Sequence, residues 1–186
     1  MPSITSTVIG PLHQDTQFSD WWRSGEIPIP FFSDTKLSII FMDFIPENDA
    51  HFIKEADAAL THFLALSDAD RLRISDHIYK DCTDFLELVE CDEEDRAMLE
   101  QITNPHDIWK HVHLQEISIS RRRRRDKDIY ILIMCDCDWE IEHGLQLVFR
   151  QGKQLTRVST QDCWLTRSDA YDTADSEDPM LSAFTG

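Results

Sequence analysis

The sequence predicts an α+β domain: an antiparallel sheet built from N- and C-terminal strands, covered on one face by central helices. Three observations carry this expectation. Apolar residues alternate, or come in short blocks between turn residues, over the first 42 residues and again over 112–158. Between these regions the apolar spacing lengthens to three or four. Charge is also segregated: residues 43–100 hold 17 acids against five bases, whereas the first 42 hold four acids and two bases. An excess of that size suits the outer, solvated face of a helical layer.

The elements follow in order. Ile4 to Ile9 reads as a strand closed by Gly10-Pro11, and Phe18 to Arg23 as another closed by Ser24-Gly25. Pro28 and Pro30 keep Ile27 to Phe32 extended but cannot donate to a ladder, so this piece lies at an edge or leads into Leu37 to Phe41. Phe52, Ile53, Ala56, Ala59, Leu60, Phe63 and Leu64 form one face of a helix expected over 48–66. Ser67, with Asp70 three positions on, caps a second helix whose inward residues run from Leu72 to Val89. Cys91 to Ile102 is a shorter helical or irregular piece, and Pro105 opens a last short helix at a position where its missing N–H is harmless. Glu116 to Ser120 alternates, with Ile117 and Ile119 on one face. Ile129 to Cys137 is apolar on both faces at first, as a central strand is. Leu145 to Phe149 and Leu155 to Val158 complete a meander, joined by Gln151-Gly152-Lys153. Residues 1–167 thus read as one domain. Residues 168–186, with five acids and no bases, read as an acidic, mobile tail.

A chain of 186 residues buries roughly 70% of its unfolded surface and needs no staple. Five cysteines without a framework spacing read as reduced thiols of a cytoplasmic protein. The N-terminus lacks a basic stretch followed by an apolar one, so no secretion signal is expected. No apolar run approaches the roughly 20 residues of a membrane span. The net charge of −17 argues against direct nucleic-acid binding and against anionic membranes, and favours a basic protein partner. Acidity that serves solubility alone is the competing explanation.

The densest cluster runs from Cys135 to His143. If the strand persisted, Asp136, Asp138, Glu140 and Glu142 would share one face. Three explanations stand: a docking edge for a basic partner, a hard-cation site, or a strand end that simply becomes solvent-exposed. No metal ligand set is expected, because Cys-x-Cys is too short for a zinc clasp and no second pair follows at ligand spacing. The helical acids Asp92, Glu93, Glu94 and Asp95 are the second docking candidates. Arg121 to Arg125 hints at nucleic acid in isolation. Asp126 and Asp128 follow at once, however, which fits a hairpin turn paired with the protein's own carboxylates. Of Trp21 and Trp22, one ring is expected in the core and one partly covered. No catalytic triad, His-Glu-x-x-His, phosphate loop or dinucleotide fingerprint occurs, so no catalytic residue and no cofactor is assigned.

Several segments together resemble an uncharacterised family of bacterial cytoplasmic proteins, a domain of unknown function. They include Ile27-Pro28-Ile29-Pro30-Phe31-Phe32, Phe52-Ile53-Lys54-Glu55-Ala56-Asp57 and Arg125-Asp126-Lys127-Asp128-Ile129-Tyr130. Most specific is Trp139-Glu140-Ile141-Glu142-His143-Gly144-Leu145-Gln146. The resemblance spans roughly 17–172. The chain departs from it at Asp162-Cys163-Trp164-Leu165-Thr166, where Asp-Gly-His-Leu-Thr is usual, and in its unbroken arginine run. Members look similar to immunity proteins of polymorphic toxins. The resemblance therefore implies a cytoplasmic binding protein that neutralises a toxin domain by occlusion. A nuclease, whose cleft must be basic, would suit an acidic inhibitor. A cryptic enzyme, metal-dependent or otherwise, and a housekeeping interaction module are the alternatives.

Overall fold

A computed structural model describes residues 4–89 and 91–182. Eight strands lie in one sheet in chain order. They are β1 Ile4–Ser6, β2 Gly10–Gln14, β3 Trp22–Ile29, β4 Thr35–Phe41, β5 Val112–Arg121, β6 Ile129–Cys137, β7 Leu145–Arg150 and β8 Gln154–Thr160. Every neighbouring pair is antiparallel except β4 and β5, where Ile39–Phe41 run parallel to Ile117–Ile119. Parallel neighbours cannot be joined by a tight turn. The connection here carries the helical layer: α1 Phe52–Leu64, α2 Asp68–Arg73, α3 Ser75–Leu88, α4 Glu93–Gln101 and a 3-10 turn Pro105–His111. The fold is α+β, with the sheet drawn from both chain ends, as its apolar periodicities predict. Among the described residues no helix is long and apolar enough to cross a membrane.

The sheet buries one face under the helices. Phe52, Ala56, Leu60 and Phe63 of α1 pack with Ile131, Ile133 and Phe149 of the central strands. Phe44 stacks on Phe52 at 4.6 Å, and Phe31 meets Phe149 edge-on at 5.6 Å. The opposite face of β6 and β7 holds a smaller apolar group, Tyr130, Leu132 and Val148, with Leu165 laid over it. This is why Ile129 to Met134 reads as apolar on both faces.

Several boundaries differ from the sequence expectation. The first strand stops at Ser6 rather than Ile9, and Gly10-Pro11 opens β2 instead of closing β1. The buried Asp57 of α1 causes this, because it accepts Ser6 Oγ at 2.5 Å and the Thr7 N–H at 2.8 Å, pinning the turn. Residues 15–20 form a turn, with Asp15 accepting the Gln17 and Phe18 N–H groups, so the next strand starts at Trp22. It continues through Ser24-Gly25 as a bulge and includes Pro28, beyond the reach of β2. Trp22 is core and donates its indole N–H to the Phe44 carbonyl, while Trp21 stacks on Phe18.

The first helix spans Phe52–Leu64, shorter than 48–66. The second divides at Ile74. The Arg71 guanidinium of α2 lies over the Phe32 and Trp109 rings, whereas Trp109 donates to Ser75 Oγ at the start of α3. Both halves thus engage Trp109, one through its ring face and the other through its indole N–H. The expected cap is present in part: Asp70 accepts from the Ser67 N–H and hydroxyl.

The segment after 167, expected as a mobile tail, folds back on the body as far as Ser182. Short helices α5 Arg167–Ala170 and α6 Pro179–Ser182 flank a 3-10 turn. Asp178 is 1% exposed and accepts the Ser168 N–H at 3.0 Å. Two of the segment's five acids, Asp169 and Asp175, are drawn in by Arg122. Its guanidinium is paired bidentately with Asp169 at 2.8 and 2.9 Å and with Asp175 at 2.9 and 2.7 Å, and also reaches Asp126. Composition alone hid the arrangement, because the binding cation lies 47 residues before its first partner.

Candidate functional site

The expected acidic strand face does not form, because β6 ends at Cys137 and residues 138–144 turn away. The turn is built by its own residues. Glu140, 8% exposed, points back and accepts the Glu142 and His143 N–H groups at 3.0 and 3.2 Å. The Glu140 carbonyl accepts the Gly144 N–H at 2.9 Å. Gly144 has φ +63°, and a Cβ there would lie 2.5 Å from the Cys135 carbonyl oxygen, so the position needs glycine. Glu140 is thus a structural residue of the loop rather than a surface charge.

The other three acids remain at the surface. Asp136 accepts Gln115 Nε2 at 2.6 Å. Glu142 is exposed beside Ile141, which is 87% exposed. Asp138 bridges two histidines, accepting from His111 Nδ1 at 2.9 Å and His113 Nε2 at 3.0 Å. Partial burial works to raise its pKa, but the two imidazole hydrogen bonds prevail and hold the carboxyl below its ordinary value. The Asp138 N–H donates to the His111 carbonyl at 3.1 Å, which fixes the loop against the start of β5.

The helical acids reach the same place. Asp92 caps α4, accepting the Glu94 and Asp95 N–H groups at 2.8 and 2.9 Å, and Asp95 accepts the Asp92 N–H in return. This reciprocal cap explains why carboxylates crowd the first turn, where the helix dipole also favours them. Glu93 and Glu94 make no such bonds and are exposed. Asp92, Glu94 and Asp95 line one side of a groove of about 550 Å³, and His111, Asp138 and Ile141 line the other. Asp138 is therefore brought together with three of the helical acids some 40 positions away in the chain, whereas Asp136, Glu140, Glu142 and Glu93 do not line this groove.

Beneath the groove Trp139 is buried and hydrogen-bonds Asp81 of α3. Burial raises the Asp81 pKa to about 6, with the nearby Asp84 and Glu140 charges adding to it. Ile141, His111 and His113 were not assigned from sequence. Alternation would have placed Ile141 inward with Trp139, and only the turn throws it out.

Among the described residues no three His, Cys, Asp or Glu side chains are grouped to hold a metal ion. The basic side chains within ion-pairing distance of the loop's carboxylates are, among the described residues, the imidazoles of His111, His113 and His143. Burial pushes the Cys82 and Cys137 thiols up to about 12, which makes them poor nucleophiles. What remains is an open acidic groove with one protruding aliphatic side chain, an arrangement suited to docking.

No curated protein and no solved structure matches the chain. A family model matches residues 8–165, which is most of the sequence, and the chain belongs to the family it describes, Domain of unknown function (DUF6985).

Proposed function

We propose that this protein binds a basic protein partner through the α4–loop groove and neutralises it by occlusion, as a cytoplasmic immunity protein does to a toxin domain. One observation carries the docking site: Asp92, Glu94 and Asp95 face Asp138 across one groove, with Ile141 protruding at its rim. Fixed carboxylates around an apolar anchor favour a surface rich in Lys and Arg with an apolar recess. The net charge of −17 speeds the encounter. The toxin-immunity part rests on the sequence resemblance, and a nuclease with a basic cleft suits the acidic groove best.

The test is affinity capture from the source cells at low and at high salt. Each captured protein is then expressed in a test host with and without this chain. A basic protein should be captured at low salt, be toxic alone and be harmless in company. Glu94→Lys with Asp136→Lys and Glu142→Lys should abolish protection, because none of these three side chains holds the loop or the helix cap. Capture of no basic protein, or of one whose toxicity this chain leaves unchanged, rejects the reading.

A further inference from the structure

The arginine run divides into two groups. Arg121 pairs with Asp49 and Glu55, Arg122 with Asp126, Asp169 and Asp175, and Arg125 with Asp169 and Asp175. Arg123 reaches only the Asp43 carbonyl, and Arg124 makes no ion pair among the described residues. Both are exposed. In a chain with 35 acids and 18 bases, two adjacent arginines without a carboxylate form a local reversal of charge.

These two arginines rim a groove of about 410 Å³ with an apolar floor of Met42, Leu132 and Leu165; Arg121 and Arg122 also line it, as do Asp43 and Asp169, the latter already paired with Arg122 and Arg125. Its wall is Trp164, which is 50% exposed. The tryptophan is held there at some structural cost. Cys163 before it has φ +63°, a conformation unfavourable to a residue with a side chain. Gln146, fully buried, staples the loop from below. Its Nε2 donates to Asp162 Oδ1 and to the Trp164 carbonyl, each at 3.0 Å, and its Oε1 accepts the Cys163 N–H at 3.1 Å. Asp162 is fixed in turn by Arg157 and accepts the Trp164 N–H at 3.0 Å. A strained residue and a fully engaged buried amide thus present a large aromatic face to solvent, next to two guanidinium groups that have no carboxylate partner among the described residues.

We infer that this groove is a second binding surface, distinct from the acidic one, and that it takes a short acidic peptide segment bearing an aromatic side chain. The ring would lie on Trp164 over the apolar floor, with flanking carboxylates on Arg123 and Arg124. Charge complementarity selects the occupant. A nucleic-acid strand would also stack on Trp164, but its phosphates would run out of the groove across an anionic surface. A short segment keeps its charge inside the basic island, because beyond about 8 Å the surrounding acids are screened.

The experiment is fluorescence polarisation of a fluorescein-labelled Asp-Glu-Phe-Glu peptide on the full chain. Controls are the amide counterpart Asn-Gln-Phe-Gln and a labelled oligothymidylate. Saturable binding of the acidic peptide is expected, weakened at least tenfold in Trp164→Ala and in Arg123→Glu/Arg124→Glu, and unchanged in Glu94→Lys. Arg124→Gln, which removes no internal contact, should weaken it several-fold and serves if the double reversal disturbs folding. No saturable binding up to millimolar concentration, equal binding of the amide peptide, or preferential binding of oligothymidylate would each overturn the inference. Because Glu94→Lys affects only the acidic groove, failure here leaves the proposed partner surface standing, and the converse also holds.

Discussion

Strand β5 has charged regions of opposite character at its two ends. Its ten residues span roughly 30 Å, several screening lengths at physiological salt, so each end acts as its own electrostatic environment. At the Val112 end, Asp138, Asp92, Glu94 and Asp95 gather, Asp138 bonded to two histidines, and nearby Asp81 has its pKa raised to about 6 by burial. At the Arg121 end carboxylates are just as dense, yet hydrogen bonds from Arg122 lower the Asp175 pKa to about 2. The same residue type is thus shifted in opposite directions, down where a hydrogen-bonded cation prevails and up where burial does. Net charge describes neither end. The Arg121 end ties its carboxylates to arginines, while Asp92, Glu94 and Asp138 at the Val112 end make no ion pair with Lys or Arg among the described residues.

This contrast is open to test, beginning with the largest expected effect. Arg122→Met should cost about 3–5 kcal/mol, because it leaves Asp126, Asp169 and Asp175 crowded and unpaired under cover. Urea unfolding at neutral pH measures this, and a loss below about 1 kcal/mol would show that the cluster is not what fixes the C-terminal segment. The same variant tests linkage. The folded pKa of Asp175 lies below its ordinary value, so its contribution is present above that ordinary value and lost as pH falls toward about 2. Acid destabilisation of the parent over that window should therefore be shallower in Arg122→Met.

Gly144→Ala should cost on the order of 1–3 kcal/mol, through the positive φ and the clash with the Cys135 carbonyl. It should also displace Ile141 and Asp138, so partner capture would fall with it. A variant as stable as the parent would mean that the loop tolerates another path.

Asp81→Asn should have the opposite sign. The folded pKa of Asp81, about 6, is above its ordinary value, so the folded state binds the extra proton and stability declines as pH rises from about 4 to 6. Removing the charge should stabilise the protein at pH 7 by on the order of 1–2 kcal/mol and change little at pH 4. Thermal melts at the two pH values decide this, and equal shifts at both would break the assignment.

The smallest stability effect belongs to the exposed acids. Glu94→Lys and Glu142→Lys should each change stability by no more than about 0.5 kcal/mol. They should nevertheless slow association with a basic partner, most at low salt. A marked loss of stability instead would place these charges with the structural ones.

The sequence was most legible where periodicity speaks. Ile129 to Met134 could be assigned to the sheet centre because both of its faces are apolar, and the α1 face from Phe52 to Phe63 could be read position by position. It was least legible where an effect depends on a distant side chain. Nothing near Ser168 announces Arg122, and nothing near Ile9 announces Asp57. The candidate site was half legible. Both acidic groups could be picked out, but Glu140 had to be reassigned to the loop interior and Ile141 to the surface.

By itself the sequence determined the class of fold, because a change of apolar period between two and about 3.6 is a local property that each segment carries with it. It also determined the net charge of −17, since composition fixes that whatever the fold. Only the tertiary structure decided which acids meet at a groove and which arginines stay free. Those outcomes depend on where β6 stops, how Gly144 lets the chain turn, and which carboxylates arrive within hydrogen-bonding distance of Arg122. Each is a relation between residues far apart in the chain, set by the packing of the sheet rather than by local preference.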